Sequence, residues 1–413
     1  MTIANPSLEH RADSPLRGVK VLELTQYIAG PFAGQQLADF GADVVKVERP
    51  GSGDPFRTYV GGKDIQDYGV NYRAYNRNKK SVTLDLQNPA AQDVFRRLAA
   101  RSDVVLENFR SGVMDRLGIG YDVLRELNPG LIFCSISGFS EDGPYRDRPA
   151  FDTVGQAMSG ILYTFVDPER PELRGPTLSD QATALQASNA IIAALYGKSV
   201  SGVGARIDIS MVDASVGFIP DFHAFYTDGG VATEPDTRAA TSQAYIMRCS
   251  DGMMSFQLGG ITRAWKGLCI AIDRPDIADD PRFSTREARV DNWSELLDLM
   301  RPIFITQPRS YWEERLAAGG IPYAAVLSIP EVHADPEIKH SGLFEQMRHP
   351  LAGPMTVMRR VARIDRSRGA QQALPALLGE HTESALLDAG YGTDELTSLR
   401  SAGAFGSQAP KPE

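Results

Sequence analysis

Asp180 stands at the mouth of a helical pattern, LSDQATALQASNAIIAALYG (178–197), in which Leu185, Ile191, Ile192 and Leu195 recur at helical spacing. Gly175-Pro176 provides a turn just before it. A carboxylate there has two uses. It can cap the helix, which contributes roughly 0.5–2 kcal/mol. Kept ionised by the positive end of the helix dipole, it can instead attack an activated acyl carbon in a dry pocket and form a covalent intermediate. Three further clusters follow strand-like runs. SISGFSEDGPYRDRPAFD (135–152) brings Arg146, Arg148 and Asp152 after a buried run. VVKVERPGSGD (44–54) ends in Arg49 and a Gly-rich turn, and LENFRSGVMDRLGIGYDVL (106–124) carries Asn108, Arg110 and Arg116. Guanidinium groups in such loops suit phosphates and carboxylates, which they meet with charge-assisted pairs of hydrogen bonds.

The elements that must position these residues can be read from the pattern. VKVLELT (19–25) is a strand, AGPFAGQQLADFG a helix opened by Gly-Pro and closed by Gly41, and DVVKVE (43–48) a second strand. This β-α-β unit implies a parallel sheet. The alternation continues through the strand SVTLDL, the helix NPAAQDVFRRLAA, the strand DVVLEN, the helix YDVLREL and the strand LIFCSIS (131–137). The expected class is α/β, with a Rossmann-like doubly wound large domain. A looser stretch over 217–245 leads into a smaller α/β domain, and GPMTVMRRVARI near the end alternates like a strand. The boundaries expected are 1–220 for the large domain, 221–335 for the small domain and 336–413 for a C-terminal part.

The chain has 413 residues, 42% of them hydrophobic, and a formal charge of −9, which argues against general nucleic-acid binding. Residues 40–120 nonetheless hold 13 Lys and Arg against 10 Asp and Glu. Three separated cysteines (Cys134, Cys249, Cys269) and six scattered histidines match no metal-ligand spacing, so no metal is expected. The absence of a signal-like or spanning apolar run points to a cytoplasmic protein with no membrane partner. The turn after the first strand reads TQYIAGPFAG rather than GxGxxG, which disfavours a nicotinamide dehydrogenase.

The collinear series PLRGVKVLELTQYIAGPFAGQQLADFGADVVKVERPGSGD, NRNKKSVTLDL, DVVLENFRSGVMDRLGIGYDVL and LNPGLIFCSISGFSEDGPYRDRPAFD resembles the class III CoA-transferase family. That family includes formyl-CoA and carnitine CoA-transferases and α-methylacyl-CoA racemase. The likeness continues through GKSVSGVGARIDISMVDAS, RPDIADDPRFSTREARVDN, GIPYAAV and LLGEHT. It implies that Asp180 is the nucleophile and that coenzyme A, as substrate rather than resident cofactor, lies on the first domain. Ile28 and Ala29 would then face the thiol arm, and Arg49 with Leu84, Asp85, Leu86 and Gln87 the adenine. Asn108, Phe109, Arg110 and Arg116 would line the pantetheine and phosphate path, with Arg148, Phe151 and Asp152 also at the ligand. The resemblance further implies an interlocked homodimer and a large domain built from both termini, to which residues 336–413 return.

Two departures refine that reading. The racemase branch carries a histidine before the aspartate of the cluster near 150, where this chain has Phe151, and phenylalanine moves no proton. Formyl-CoA transferase has a run of four glycines in its small domain, where this chain offers only Gly259-Gly260, so another segment is expected to shield the intermediate. The expected reaction passes CoA from an acyl-CoA donor to a small carboxylic acid acceptor. A dicarboxylate is the expected acceptor class, and Arg174, Arg238 and Arg263 are candidates for its second carboxylate. The alternatives are a racemase and a non-catalytic acyl-CoA binding protein.

Overall fold

Val21 and Leu22 are neighbours on one strand, point to opposite faces and are both buried, so the sheet that contains them is covered on each side. In the computed structural model, which describes residues 14–59, 67–259, 262–351, 353–369 and 372–406, that strand is β1 (Lys20–Leu24). It joins β2 (Asp43–Glu48), β3 (Lys79–Thr83), β4 (Val104–Glu107), β5 (Ile132–Ser137) and β6 (Ala205–Ser210) in a six-stranded sheet of order β3-β2-β1-β4-β5-β6. Every pairing is parallel. The order reverses between β1 and β4, where the loops leaving the two strands diverge and open a crevice at their carboxyl ends.

The connecting helices follow the sequence signals. They are α1 (Ala29–Asp39), α2 (Val70–Tyr75), α3 (Pro89–Ala99), α4 (Val113–Arg116), α5 (Tyr121–Leu127), α6 (Asp152–Met158), α7 (Leu178–Ser201) and α8 (Met211–Val216). Helix α3 starts as its sequence predicts: Pro89 fills the first position and Asn88 Oδ1 accepts from Ala90 N–H at 2.9 Å. On one face of the sheet Leu22, Leu24, Val47 and Val82 pack against Phe95 of α3 and against Leu386, Leu396 and Phe405 near the C-terminus. On the other, Val21, Val44, Leu106 and Ile132 pack against Ala33 and Leu37 of α1 and Ala184, Ala187 and Ile191 of α7.

The chain divides into two compact units, one of residues 1–162, 175–223 and 342–413, the other of residues 163–174 and 224–341. C-terminal residues enter the first unit through Thr382, whose hydroxyl accepts from Thr83 N–H at 3.0 Å, and Ala404, whose carbonyl accepts from Asp85 N–H at 2.9 Å. The alternating GPMTVM run is a strand (Gly353–Met358) paired antiparallel with Phe344–His349. In the second unit, strands Ala244–Cys249, Gly252–Gln257 and Tyr323–Ala325 form an antiparallel sheet. Its core holds Trp265, Phe304 and Trp312, the last two with ring centroids 4.4 Å apart. Gly260 lies outside the described residues. Among the described residues no helix is long and apolar enough to cross a membrane.

Candidate active site

The crevice at the β1/β4 reversal holds a cavity of about 310 Å³. Gln26, Tyr27, Ile28 and Ala29 line it from the loop after β1, and Asn108, Phe109, Arg110 and Ser111 from the loop after β4. The loop after β5 adds Arg146, Arg148 and Phe151, and Asp180 is the one carboxylate among the lining residues. Seven of the residues singled out from sequence for coenzyme A (Ile28, Ala29, Asn108, Phe109, Arg110, Arg148 and Phe151), with Asp180, thus line one cavity.

Asp180 sits in the first turn of α7, but it does not cap that helix. Thr177 is the flanking residue, and among the described residues no group donates to the Asp180 carboxylate. The backbone N–H of Asp180 instead donates to Asp152 Oδ1 at 3.1 Å, while Asp152 Oδ2 accepts from Gln156 Nε2 at 2.6 Å. Gln156 also donates to the Pro176 carbonyl at 3.2 Å. Gly155 lets α6 approach, because a Cβ there would lie 2.0 Å from Ser179 Oγ. Ser179 is tied to Ser215 of α8, Oγ to Oγ, at 2.6 Å. The mouth of α7 is therefore clamped, and Asp152 is part of the clamp.

The Asp180 carboxyl is not kept ionised in the way its helix position suggested. Burial, and then the neighbouring Asp152 carboxylate, push its pKa up to about 7. The sequence shows the helix and its dipole but not the burial, which depends on the loops from β1 and β4. One consequence concerns stability. From about pH 4 to pH 7 the folded chain keeps a proton at Asp180 that the unfolded chain has lost, so stability falls as pH rises through that window. Asp180→Asn removes this term. The variant is expected to melt higher than the parent at pH 8, with the difference vanishing near pH 4; thermal melts across that range check it.

A strained residue shapes the other wall. Tyr27 has φ of +66°, in the left-handed region, which costs an L-residue about 1–3 kcal/mol. Its ring packs edge-on against Phe151 and against Phe56, with centroids 5.4 Å apart in each pair. Asn108 Oδ1 accepts from Gln26 N–H, and Asn108 Nδ2 donates to the Gln26 carbonyl, each at 2.9 Å. The Asn108 side chain therefore joins the two walls.

The remaining sequence candidates lie at the same edge of the sheet but outside this cavity. Arg49 is exposed after β2. SVTLDL ends as a strand at Thr83, so residues 84–87 form a loop; the Leu84 side chain is in the core, and Asp85 Oδ1 accepts from Gln87 N–H at 3.2 Å. Leu86 packs partly against that core, and Arg116 ends α4 with its guanidinium against Gly112. Of the arginines considered for a second carboxylate, Arg174 pairs with Glu172 at 2.6 Å, and all three belong to the second unit. Arg110 and Arg148, in the cavity wall, have no carboxylate within ion-pair distance among the described residues, and Arg146 reaches only Asp147, at 3.7 Å. Among the described residues no group of His, Cys, Asp and Glu could hold a metal ion.

Comparison with known proteins bears directly on what the cavity is for. Residues 16–382 match the model of CoA-transferase family III. The chain belongs to that family. It is 33% identical over 377 residues to human succinyl-CoA:glutarate CoA-transferase, covering 89% of this chain and 84% of the relative. It is also 33% identical over 394 residues to succinyl-CoA–D-citramalate CoA-transferase of Chloroflexus aurantiacus, covering 94% and 98%. A solved structure of a CAIB/BAIF family protein from Brucella suis superposes with a TM-score of 0.80 at 31% identity, covering 91% of this chain and all of that one. This family III chain is accordingly a CoA-transferase that moves CoA between acyl-CoA and carboxylic acids.

The charges beneath the cavity were not singled out from the sequence. Lys46 Nζ lies 3.2 Å from Glu23 Oε1 and 3.0 Å from Asp54 Oδ2, with all three side chains fully buried. Arg57 pairs with Glu48 at 2.7 Å. A signal for this was present: Lys46 and Glu48 flank Val47 in the buried half of β2, and a charge in a doubly covered strand requires a partner.

Proposed function

We propose that Asp180 carries CoA from an acyl-CoA donor to a dicarboxylic acid acceptor through two kinds of covalent intermediate. An Asp180 carboxylate oxygen attacks the thioester carbonyl, the C–S bond breaks, and CoA thiolate leaves an aspartyl–acyl anhydride. The thiolate attacks the aspartyl carbonyl of that anhydride and expels the donor acid as its carboxylate, leaving an aspartyl–CoA thioester. The acceptor carboxylate attacks this thioester and releases thiolate, which takes the acceptor acyl group and frees Asp180. No proton need be transferred in any of the four steps, which suits a site whose wall carries Phe151 where a racemase would need a base.

The observation that carries this reading is Asp180 as the one carboxylate of a cavity whose other charged lining residues are Arg110, Arg146 and Arg148. Its side chain accepts no hydrogen bond among the described residues and so keeps its lone pairs for attack. Three N–H groups at the start of α7 are already engaged, Leu178 with the Pro176 carbonyl, Asp180 with Asp152 and Gln181 with the Thr177 carbonyl. The better candidates for oxyanion donors are Ala29 and Gly30, which open α1 ahead of its first bond, from Phe32 N–H to the Ile28 carbonyl. Of the remaining residues assigned from sequence, Arg49 and the loop 84–87, Leu84 by its backbone alone, extend the coenzyme path along the sheet edge toward β3, while Arg116, at the end of α4 after β4, borders it from the other side.

Arg146 is assigned to the acceptor. It lines the cavity of Asp180 and also an adjoining one of about 700 Å³, and among the described residues its only ion-pair contact is long. The names of the relatives supply the acid class, since glutarate and citramalate are both dicarboxylates. Incubating succinyl-CoA with a panel of acids and separating the products should yield the acyl-CoA of a dicarboxylate. Failure to exchange CoA across a wide donor and acceptor panel would reject the reading. Arg146→Met is expected to raise KM for a dicarboxylate acceptor about tenfold, the order of one charge-assisted pair. KM for a monocarboxylate of equal length should stay within about twofold.

A further inference from the structure

The loop between β1 and α1 is held at successive peptide groups by Asn108 in the cavity wall and by Lys46 and Asp54, which do not line the cavity. The Thr25 carbonyl accepts from Lys46 Nζ at 2.7 Å, and both polar groups of Gln26 are bound by Asn108. The N–H of the left-handed Tyr27 donates to Asp54 Oδ1 at 3.2 Å, which also accepts from Phe56 N–H at 3.0 Å. The other oxygen of Asp54 meets Lys46, so one buried ion pair grips the loop from both ends of a three-residue span. The Asp54 N–H donates to Glu48 Oε1 at 3.0 Å and closes the frame. Directly after this span come Ile28 and Ala29, which open α1 into the cavity of Asp180.

We propose that Asp54, backed by Lys46, is a positioning residue of the transfer reaction. It holds the Tyr27 peptide left-handed and thereby aims the first N–H groups of α1 and the Tyr27 ring at the acyl group on Asp180. Several features require this strut. Tyrosine does not keep a φ of +66° unless its surroundings fix it. The conformation is also tightly packed, since a Cβ on Gly30 would lie 2.4 Å from Thr25 Cβ. Burial alone would lower the Lys46 pKa, but Asp54, Glu23 and Glu48 together raise it above its usual value, so the ammonium group stays charged beneath the loop. Freed of Asp54, the peptide can relax to an ordinary φ and turn its N–H, and the helix start behind it, away from the reacting atoms.

The inference rests on the proposed transfer at Asp180 and predicts a split that a purely structural role would not give. Asp54→Asn keeps an acceptor for the Tyr27 N–H, whereas Asp54→Ala does not, and both break the pair with Lys46. Both variants should therefore lose thermal stability, Asp54→Ala the more because it also gives up the bonds from Tyr27 and Phe56 N–H, so rates are compared well below both melting temperatures. Asp54→Ala should lower kcat about 100-fold with KM for the acyl-CoA donor little changed, as expected when a transition-state contact moves by about 1 Å. Asp54→Asn should retain most of the rate. If Asp54→Ala proves too unstable to purify, Tyr27→Gly in the same chain accepts the left-handed angle without the strut. The Asp54→Ala loss should then shrink to less than about tenfold relative to Tyr27→Gly alone. Equal kcat losses in the two Asp54 variants that follow melting temperature would overturn the proposal, as would a loss confined to KM. Absence of transfer in the parent protein would instead reject the underlying function.

Discussion

Asp180→Asn is expected to abolish CoA exchange, with a loss of about 10⁴-fold or more, while CoA still binds. The size follows from the proposed chemistry: an amide does not form the anhydride, and among the described residues no other carboxylate lines the cavity. Binding should survive because the CoA contacts assigned at Ile28, Ala29, Asn108 and Arg110 lie on other loops. Isothermal titration of CoA against the variant, beside a transfer assay, separates the two effects. An active Asn variant would remove Asp180 from the mechanism.

The second large effect is a dependence on pH. The nucleophile must be ionised, and burial with the Asp152 carboxylate sets its pKa at about 7. The value of kcat/KM for the donor should therefore drop as pH falls below about 7, tenfold per unit, reaching about 100-fold at pH 5. Asp152→Asn removes the smaller of the two causes and still leaves an oxygen for the Asp180 N–H. The acid limb should move to lower pH in that variant, though burial keeps it above the ordinary aspartate range. A limb that stays in place would show that Asp152 does not act on Asp180 through its charge.

The alternation of strands and helices was legible because every crossover carries its own punctuation, such as Asn88-Pro89 at the start of α3 and Gly41 after α1. The strand DVVKVE matches β2 residue for residue, and DVVLEN is β4 with its ends trimmed. The residues lining the cavity were legible for a related reason: in a parallel sheet the loops after successive strands share one edge, so motifs far apart in sequence converge there. What could not be read was how those loops pack. The pattern SVTLDL does not reveal that its last residues leave the sheet and that Leu84 turns into the core. Asp180 read as a helix cap or a nucleophile held ionised, because the sequence shows the dipole and hides the burial and the Asp152 charge. The grip of Asp54 on Tyr27 links residues 27 apart through a backbone angle that no composition signal marks in tyrosine.

The central claim is a covalent CoA ester on Asp180. Its most direct test is intact-protein mass spectrometry after brief incubation with succinyl-CoA, with peptide mapping of the adduct. The account predicts a mass increase of one CoA less a water, confined to the peptide containing Asp180, absent from Asp180→Asn and discharged when a dicarboxylate acceptor is added. Efficient turnover with no adduct on that peptide, or an adduct that the acceptor does not discharge, would contradict it.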